Sequence, residues 1–295
     1  NDWERSISRQ LVDLGFYEIY NNSLAAPTND EDPELVKLLN PLSNELSLMR
    51  KDLIGGLVDA VVYNLNRRQK NCKFFEFGNV YNVKEGVYNQ SKKLIIAASG
   101  NQHDSHWIAG DQAADYYYIK GIINSLADRV NLTINEKVVD HSHLSQCIAL
   151  LHKNKRIGHI GKLKNNLFTS LDEETSIFIA EIDWTVFLSL AKYVNIRVNP
   201  PSKFPSVKRD MALLIDDAVE FSSLKKMAFE TEKKLLESVQ LFDVYQGKGI
   251  PKGKKSYGLT FTISDHTKTL TDKQVDKITS KIFNRYQKEF EAELR

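Results

Sequence analysis

Phe204-Pro-Ser-Val-Lys-Arg-Asp-Met-Ala-Leu-Leu-Ile215, Leu241-Phe-Asp-Val-Tyr-Gln-Gly-Lys-Gly-Ile-Pro251 and Lys254-Lys-Ser-Tyr-Gly-Leu-Thr-Phe261 decide the reading of the C-terminal third. Each begins or contains a strand. Between the first two, Leu224, Met227 and Ala228 share one side of a helix that Ser222 or Ser223 caps. After the third, Thr271 and Gln274 form a capping-box pair, followed by a stripe of Val275, Ile278, Ile282, Tyr286 and Phe290. Leu294 adds a last strand residue, completing a βαββαβ order. In the third strand, Tyr257, Leu259, Phe261 and Ile263 alternate with Ser256, Gly258, Thr260 and Thr262. The apolar set is expected to pack on the helices and the small polar set to stay open.

Upstream, Trp3, Ile7, Leu11 and Leu14 fall at helical spacing, with Gly15 as a C-terminal cap and Phe16 to Tyr20 as a strand. Leu53, Leu57, Val61 and Leu65 mark a second helix, N-capped by Asp52. Phe74 to Tyr81, Leu94 to Ser99 and Ser176 to Ile182 read as strands, and Ile148–Leu151 with Ile157–Ile160 as a hairpin. Asp115 opens a helix through Ile119, Ile122, Ile123 and Leu126. The class is α+β: an antiparallel sheet with helices over residues 1–198, a linker over 199–202 marked by Pro200 and Pro201, and the βαββαβ unit over 203–295.

At 42% hydrophobic and 26% charged, the 295 residues have an ordinary globular composition, and no apolar run reaches membrane-spanning length. Nothing at the N-terminus reads as a secretion signal. Asn1 in place of a methionine points to a piece of a longer chain. Two widely spaced cysteines, Cys72 and Cys147, fit a reduced cytoplasmic protein. Residues 203–295 carry 18 Lys+Arg against 14 Asp+Glu, which leaves 22 against 24 for residues 1–202. The C-terminal unit is therefore the better partner for a polyanion.

Asn40-Pro-Leu-Ser-Asn-Glu-Leu-Ser-Leu-Met-Arg50, Leu53-Ile-Gly-Gly-Leu57, Asn64-Leu-Asn-Arg-Arg-Gln69 and Phe74-Phe-Glu-Phe-Gly78 precede the C-terminal runs in order. Together the segments resemble the C-terminal part of the phenylalanyl-tRNA synthetase β-subunit family. The resemblance covers essentially the whole chain. It implies a class II synthetase-like core without catalytic residues, then a ferredoxin-like anticodon-binding domain. It further implies a catalytic α subunit as partner in an α2β2 heterotetramer, tRNA(Phe) as ligand, and a cytoplasmic enzyme. ATP and magnesium would be bound outside this segment, and no cofactor within it. The residues agree on the core: neither Phe-Arg-x-Glu nor Gly-x-Gly-x-Gly-x-Arg occurs, so the arginines that would hold a triphosphate are lacking. Arg50, Arg67 and Arg68 read as surface or helix-end charges. The pairs His103/His106 and His141/His143 lack companion ligands, so no metal site is expected.

The sharpest local feature is Gly247-Lys-Gly-Ile-Pro-Lys-Gly253, in a stretch from Val244 to Ser264 without Asp or Glu. A phosphate-contacting loop and a solvated hairpin both fit it. With the resemblance, the candidate RNA contacts are Arg209, Phe242, Tyr245, Lys248, Lys252, Lys254, Lys255, Ser256, Gly258 and Thr260. Two other classes share the βαββαβ order: acylphosphatases, which cradle phosphate in the loop after the first strand, and amino-acid-sensing ferredoxin-fold modules.

Overall fold

The computed structural model describes residues 2–27, 32–108, 110–167, 171, 175–191 and 202–295. The chain divides into two units, Asn1–Ile196 and Arg197–Arg295. Residues 199–201 of the expected linker lie outside the described residues.

The first unit runs α1 (Asp2–Asp13), β1 (Tyr17–Glu18), β2 (Leu24–Ala25), β3 (Leu48–Met49), α2 (Ile54–Leu65), β4 (Cys72–Lys84), β5 (Val87–Ser99), α3 (Tyr116–Arg129), β6 (Asn135–Val138), β7 (Leu144–His152), β8 (Lys155–Leu163), β9 (Ile177–Asp183) and α4 (Trp184–Leu190). Seven strands form one sheet in the order β1-β4-β5-β9-β8-β7-β6, and β2 pairs with β3 as a separate ribbon. Gly15 ends α1 at φ +85, and the Phe16 N–H reaches back to Leu11 O at 3.0 Å. That turn drives Phe16 into the core. The strand expected over Phe16–Tyr20 shrinks to the two residues of β1, which pair parallel to β4. Asp115 caps α3 as expected, its carboxylate accepting the Tyr118 N–H at 2.8 Å. Asp52 differs from expectation: the N-cap of α2 is Leu53, without a side-chain cap bond, and Asp52, one residue earlier, accepts the Ile54 N–H at 2.9 Å in the turn that leads into the helix. Glu85 and Gly86, both at positive φ, make the tight turn that lets β4 and β5 extend to thirteen residues each.

Both faces of this sheet are covered. On one, Ile7, Leu11, Phe75, Ile96, Ile119, Leu126, Trp184 and Phe187 form a core with α1, α3 and α4. On the other, α2 sets Ile54, Leu57, Val58 and Val61 against Phe74, Ile95, Ile177 and Ile179. At about 25 cal/mol per Å2 of apolar surface removed from water, such burial is the main stabilising term.

The second unit runs β10 (Val207–Asp216), α5 (Phe221–Thr231), β11 (Leu236–Tyr245), β12 (Lys254–Ile263), α6 (Asp272–Phe290) and β13 (Glu293–Leu294). Its sheet order is β11-β12-β10-β13 with all pairs antiparallel, the ferredoxin-like arrangement. Leu259, Phe261 and Ile263 are fully buried against Leu224, Val275, Ile282 and Tyr286. The Tyr286 hydroxyl donates to Leu224 O at 2.9 Å, which ties α6 to α5. The Thr271–Gln274 capping box opens α6. The α5 cap differs from expectation. Ser222 and Ser223 lie inside the first turn, and the N-cap is Glu220 without a side-chain cap bond. Phe221, packed against the core, pulls the helix start ahead of both serines. Among the described residues no helix is long and apolar enough to cross a membrane.

Candidate nucleic-acid interface

The face of the second unit's sheet away from α5 and α6 is built around Gly258. A bulge in β11 between Leu241 and Asp243 breaks the two-residue alternation. As a result Phe242 and Asp243 both turn to this face. A Cβ at position 258 would lie 2.7 Å from Phe242 Cζ and 3.1 Å from Asp243 Cβ, so only glycine lets the ring lie on the strand. Phe242 is 61% exposed there. Beside it, the Thr260 hydroxyl donates to Asp210 Oδ1 at 2.6 Å. Tyr245 is opposite Ser256 in the register. Its hydroxyl donates to Lys248 O at 3.2 Å, and the Arg295 guanidinium carbon is 5.2 Å from its ring centroid. Gly247 packs so closely on this ring that a Cβ would approach Tyr245 Oη to 2.9 Å.

The lysines separate into two groups. Lys248 and Lys252 are exposed and have no ion pair among the described residues. Lys254 pairs with Glu293 at 2.7 Å. Lys255, grouped with the loop lysines on sequence, is 9% exposed. Its ammonium donates to Asp217 O at 2.6 Å and lies 4.8 Å from the Tyr257 ring centroid. Alternation explains the difference, because Lys255 faces the helix side with Tyr257. Ser256 is on the open side but buried, at 3% exposed. Arg209 also differs from its expected role. It stands opposite Phe261 in the register, on the helix side, and its guanidinium pairs with Asp272 at 2.7 Å and Asp276 at 3.7 Å. Arg209 and Lys255 thus hold the fold together.

Asp243 and Arg295 also belong to this face. The signal for Asp243 was the small residue at Gly258, which leaves room for a bulge opposite. Arg295 reaches Tyr245 across fifty residues, which no local pattern reveals. Chemically the face offers an aromatic surface for stacking, two carboxylates able to accept from base amino groups, and exposed ammonium groups at its loop end.

In the first unit, Arg50 is no surface charge. Its Nη1 meets Glu76 Oε1 at 2.7 Å with Glu76 fully buried, and Nε donates to Asn79 O at 2.9 Å. Arg67 lies over the Tyr63 ring, 3.4 Å from its centroid. His141 has its ring 4.4 Å from that of buried His159 and 6.0 Å from His143. No group of three or more His, Cys, Asp or Glu is placed to hold a metal among the described residues.

The sequence pattern described as "Phenylalanyl tRNA synthetase beta chain CLM domain" matches residues 1–184, and "Ferredoxin-fold anticodon binding domain" matches 202–295. The chain belongs to the phenylalanyl-tRNA synthetase beta chain family. It is 35% identical to the phenylalanine–tRNA ligase beta subunit of Bacteroides thetaiotaomicron over 100% of its own length. It is 32% identical to the beta subunit of Porphyromonas gingivalis over 99%, and 32% identical to that of Shewanella oneidensis over 97%. The chain spans 38%, 38% and 37% of those relatives' lengths, respectively. For a phenylalanyl-tRNA synthetase beta chain, the face around Phe242 lies in the domain whose described role is anticodon binding. The acylphosphatase alternative fails on charge: Asp216 at the end of β10 and Asp217 and Glu220 in the loop after it repel phosphate.

Proposed function

We propose that this chain is the tRNA-binding, non-catalytic end of a phenylalanine–tRNA ligase β subunit. The second unit grips the anticodon region of tRNA(Phe), while the α subunit of an α2β2 assembly handles phenylalanine, ATP and magnesium. The observation that carries this reading is the exposed Phe242 ring laid on Gly258 beside Asp243, in the anticodon-binding domain. Lys248 and Lys252 contact phosphates and position the RNA, with Lys254 shared between phosphate and Glu293. Phe242, Tyr245 and the Thr260–Asp210 pair meet the bases. Lys255, Ser256 and Arg209 shape the surface from within. The enzyme is cytoplasmic, a setting that suits the free, buried thiols of Cys72 and Cys147.

Filter binding of the 295-residue chain to tRNA(Phe) across a salt series tests the proposal. Phe242→Ala should weaken binding by about 1–3 kcal/mol. Lys248→Ala and Lys252→Ala should each lower the salt slope by roughly 0.7–1 unit, with similar effects on tRNAs of different anticodon. Unchanged affinity in Phe242→Ala together with an unchanged slope in the double lysine variant removes this face from the reading.

The α-subunit contact calls for a surface the first unit does not use itself. The apolar stripes of α1 and α2 are spent on its own two cores, with Ile7, Leu11 and Leu57 fully buried. Several apolar side chains of this unit stay exposed, Leu39, Leu42, Trp107 and Tyr117 among them; one run, Val12, Leu14, Tyr17 and Tyr20 at 54%, 42%, 72% and 93%, is continuous in sequence along α1 and the β1 edge. We assign the docking surface to this run. Hydrogen exchange with and without the α subunit should show protection over residues 12–20. Protection confined to other segments would overturn the assignment.

A further inference from the structure

Arg67, Arg68, Lys70 and Lys73 follow α2 and open β4, and no Asp or Glu occurs between Asp59 and Glu76. Arg68, Lys70 and Lys73 line a hollow of about 670 Å3 whose opposite wall is the 101–105 segment after β5. Gly100, at φ +76, lets the two walls meet, since a Cβ there would lie 2.3 Å from Lys70 O. Asn71 pins them: its Oδ1 accepts the Asn101 N–H at 2.9 Å and its Nδ2 donates to Asp104 Oδ1 at 3.2 Å. Asp104 is the only acid in the lining among the described residues, and that bond takes one of its oxygens.

Two of the cations are held in costly positions. Lys73 is half-buried, its ammonium donates to Gln102 O at 3.1 Å, and it has no ion pair among the described residues. A partly desolvated ammonium with three donors and one neutral acceptor draws an anion. Arg68 sits at φ +65 in the reversal that closes α2, where its N–H reaches Leu65 O at 2.9 Å and that of Gln69 reaches Asn64 O at 3.0 Å. Glycine is usual at such a residue, because a Cβ is unfavourable in left-handed backbone. The Arg68 side chain makes no ion pair among the described residues that would offset this cost. Cations beside a helix end do offset its negative pole. Lys73 lies on a strand, beyond that role.

We propose that this hollow binds the phosphate backbone of RNA, a contact of the first unit in addition to the face around Phe242. Exposed Arg68 and Lys70 take phosphate oxygens from the rim and Lys73 from deeper in, with the amides of Gln69 and Asn101 as neutral donors. Apart from Tyr17 the lining is polar or glycine, so a protein segment would bury little apolar surface there, whereas a sugar–phosphate backbone needs none. Tyr17, at one side, belongs to the run assigned to the α subunit and takes no part in this contact.

The test measures fluorescence anisotropy of a short, loop-free RNA duplex with the 295-residue chain across a salt series. Such a duplex has no unstacked base to offer Phe242, so Phe242→Ala should leave its binding unchanged, which separates this site from the anticodon reading. Lys70→Ala and Arg68→Gly should each weaken the duplex by about threefold or more at low salt and lower the salt slope by roughly 0.7–1 unit. Glycine suits the backbone at position 68, so a loss of binding in Arg68→Gly does not come from unfolding; near-UV circular dichroism should match wild type. Lys137→Ala, an exposed charge elsewhere on the first unit, should leave the slope unchanged. Equal effects of Lys137→Ala and Lys70→Ala, or an unchanged slope in the Arg68→Gly/Lys70→Ala double variant, overturn the proposal. So does displacement of the duplex by polyglutamate as readily as by unlabelled RNA, which would make the hollow a seat for an acidic protein.

Discussion

Replacing Arg50 by alanine should destabilise the first unit by about 3–5 kcal/mol, the cost of leaving a buried charge without its partner. Glu76 is fully buried, and its two oxygens are held by Arg50 Nη1 at 2.7 Å and Asn21 Nδ2 at 2.8 Å. Without Arg50, Asn21 alone faces a desolvated carboxylate. The guanidinium also links Asn79 O on β4 to the strand end at β3, so its loss loosens the approach to α2. The paired replacement Arg50→Met with Glu76→Leu should recover most of the loss, because removing both charges also removes their desolvation cost. Urea unfolding followed by tryptophan fluorescence checks this. Trp3, Trp107 and Trp184 all belong to the first unit, so the signal reports that unit alone. A single variant within about 1 kcal/mol of wild type would show that Glu76 finds water once Arg50 is gone.

Acid should unfold the same unit through His159. The imidazole is 7% exposed, its Nε2 is unpartnered, and burial with His141 alongside lowers its pKa from 6.5 to about 3. The folded state therefore holds His159 neutral where the unfolded chain binds a proton. Stability is full above pH 6.5 and falls as pH drops toward 3, by roughly 4 kcal/mol over the whole window. The surrounding groups act in both directions. Lys93 on β5 and Arg156 on β8 oppose a second positive charge. Glu181, its cross-strand neighbour on β9, has its carboxyl raised by burial. Glu181 takes up a proton on folding above pH 4.5, which stabilises as pH falls and partly masks the early loss. Below 4.5 that offset is complete and the His159 slope stands alone. His159→Gln removes the titration while other carboxylates titrate in both proteins. Unfolding free energies measured from pH 7 to 3.5 should therefore converge: the difference between the two proteins shrinks or reverses with acid. A difference independent of pH would mean that His159 is not held neutral in the fold.

Much of the second unit was legible because its signals are local. The Thr271–Gln274 box occupies a few adjacent residues and appears as read. The alternation of β12 sorts its side chains to the two faces as expected, but Ser256 and Gly258 on the open face are buried. The first unit was legible only in pieces. The parallel pairing of β1 with β4 joins Tyr17 to Phe74 across the whole of α2 and the ribbon. Helix α4, seven residues long and capped by Asp183, is too short for a helical period to show. In the candidate site, a bulge decides that Phe242 shares a face with Asp243, and bulges leave no pattern of their own. Lys254 and Lys255 are indistinguishable as neighbours in a basic run. One strand alternation makes the first a rim charge and the second an internal brace. Arg50 misled because a charge in a loop reads as solvent-facing until its buried acid, twenty-six residues away, is located.

The lateral margins of both large sheets share one character. β1 and β13 are two residues long, each with a glutamate. β6 reads Asn-Glu-Lys-Val, and β11 is interrupted by two register shifts. Margins this short, charged or kinked offer no long flat row of unpaired N–H and C=O groups to a neighbouring copy. Protection against strand-to-strand accretion is thus distributed to every border of both units, and does not rely on a partner chain to cover them.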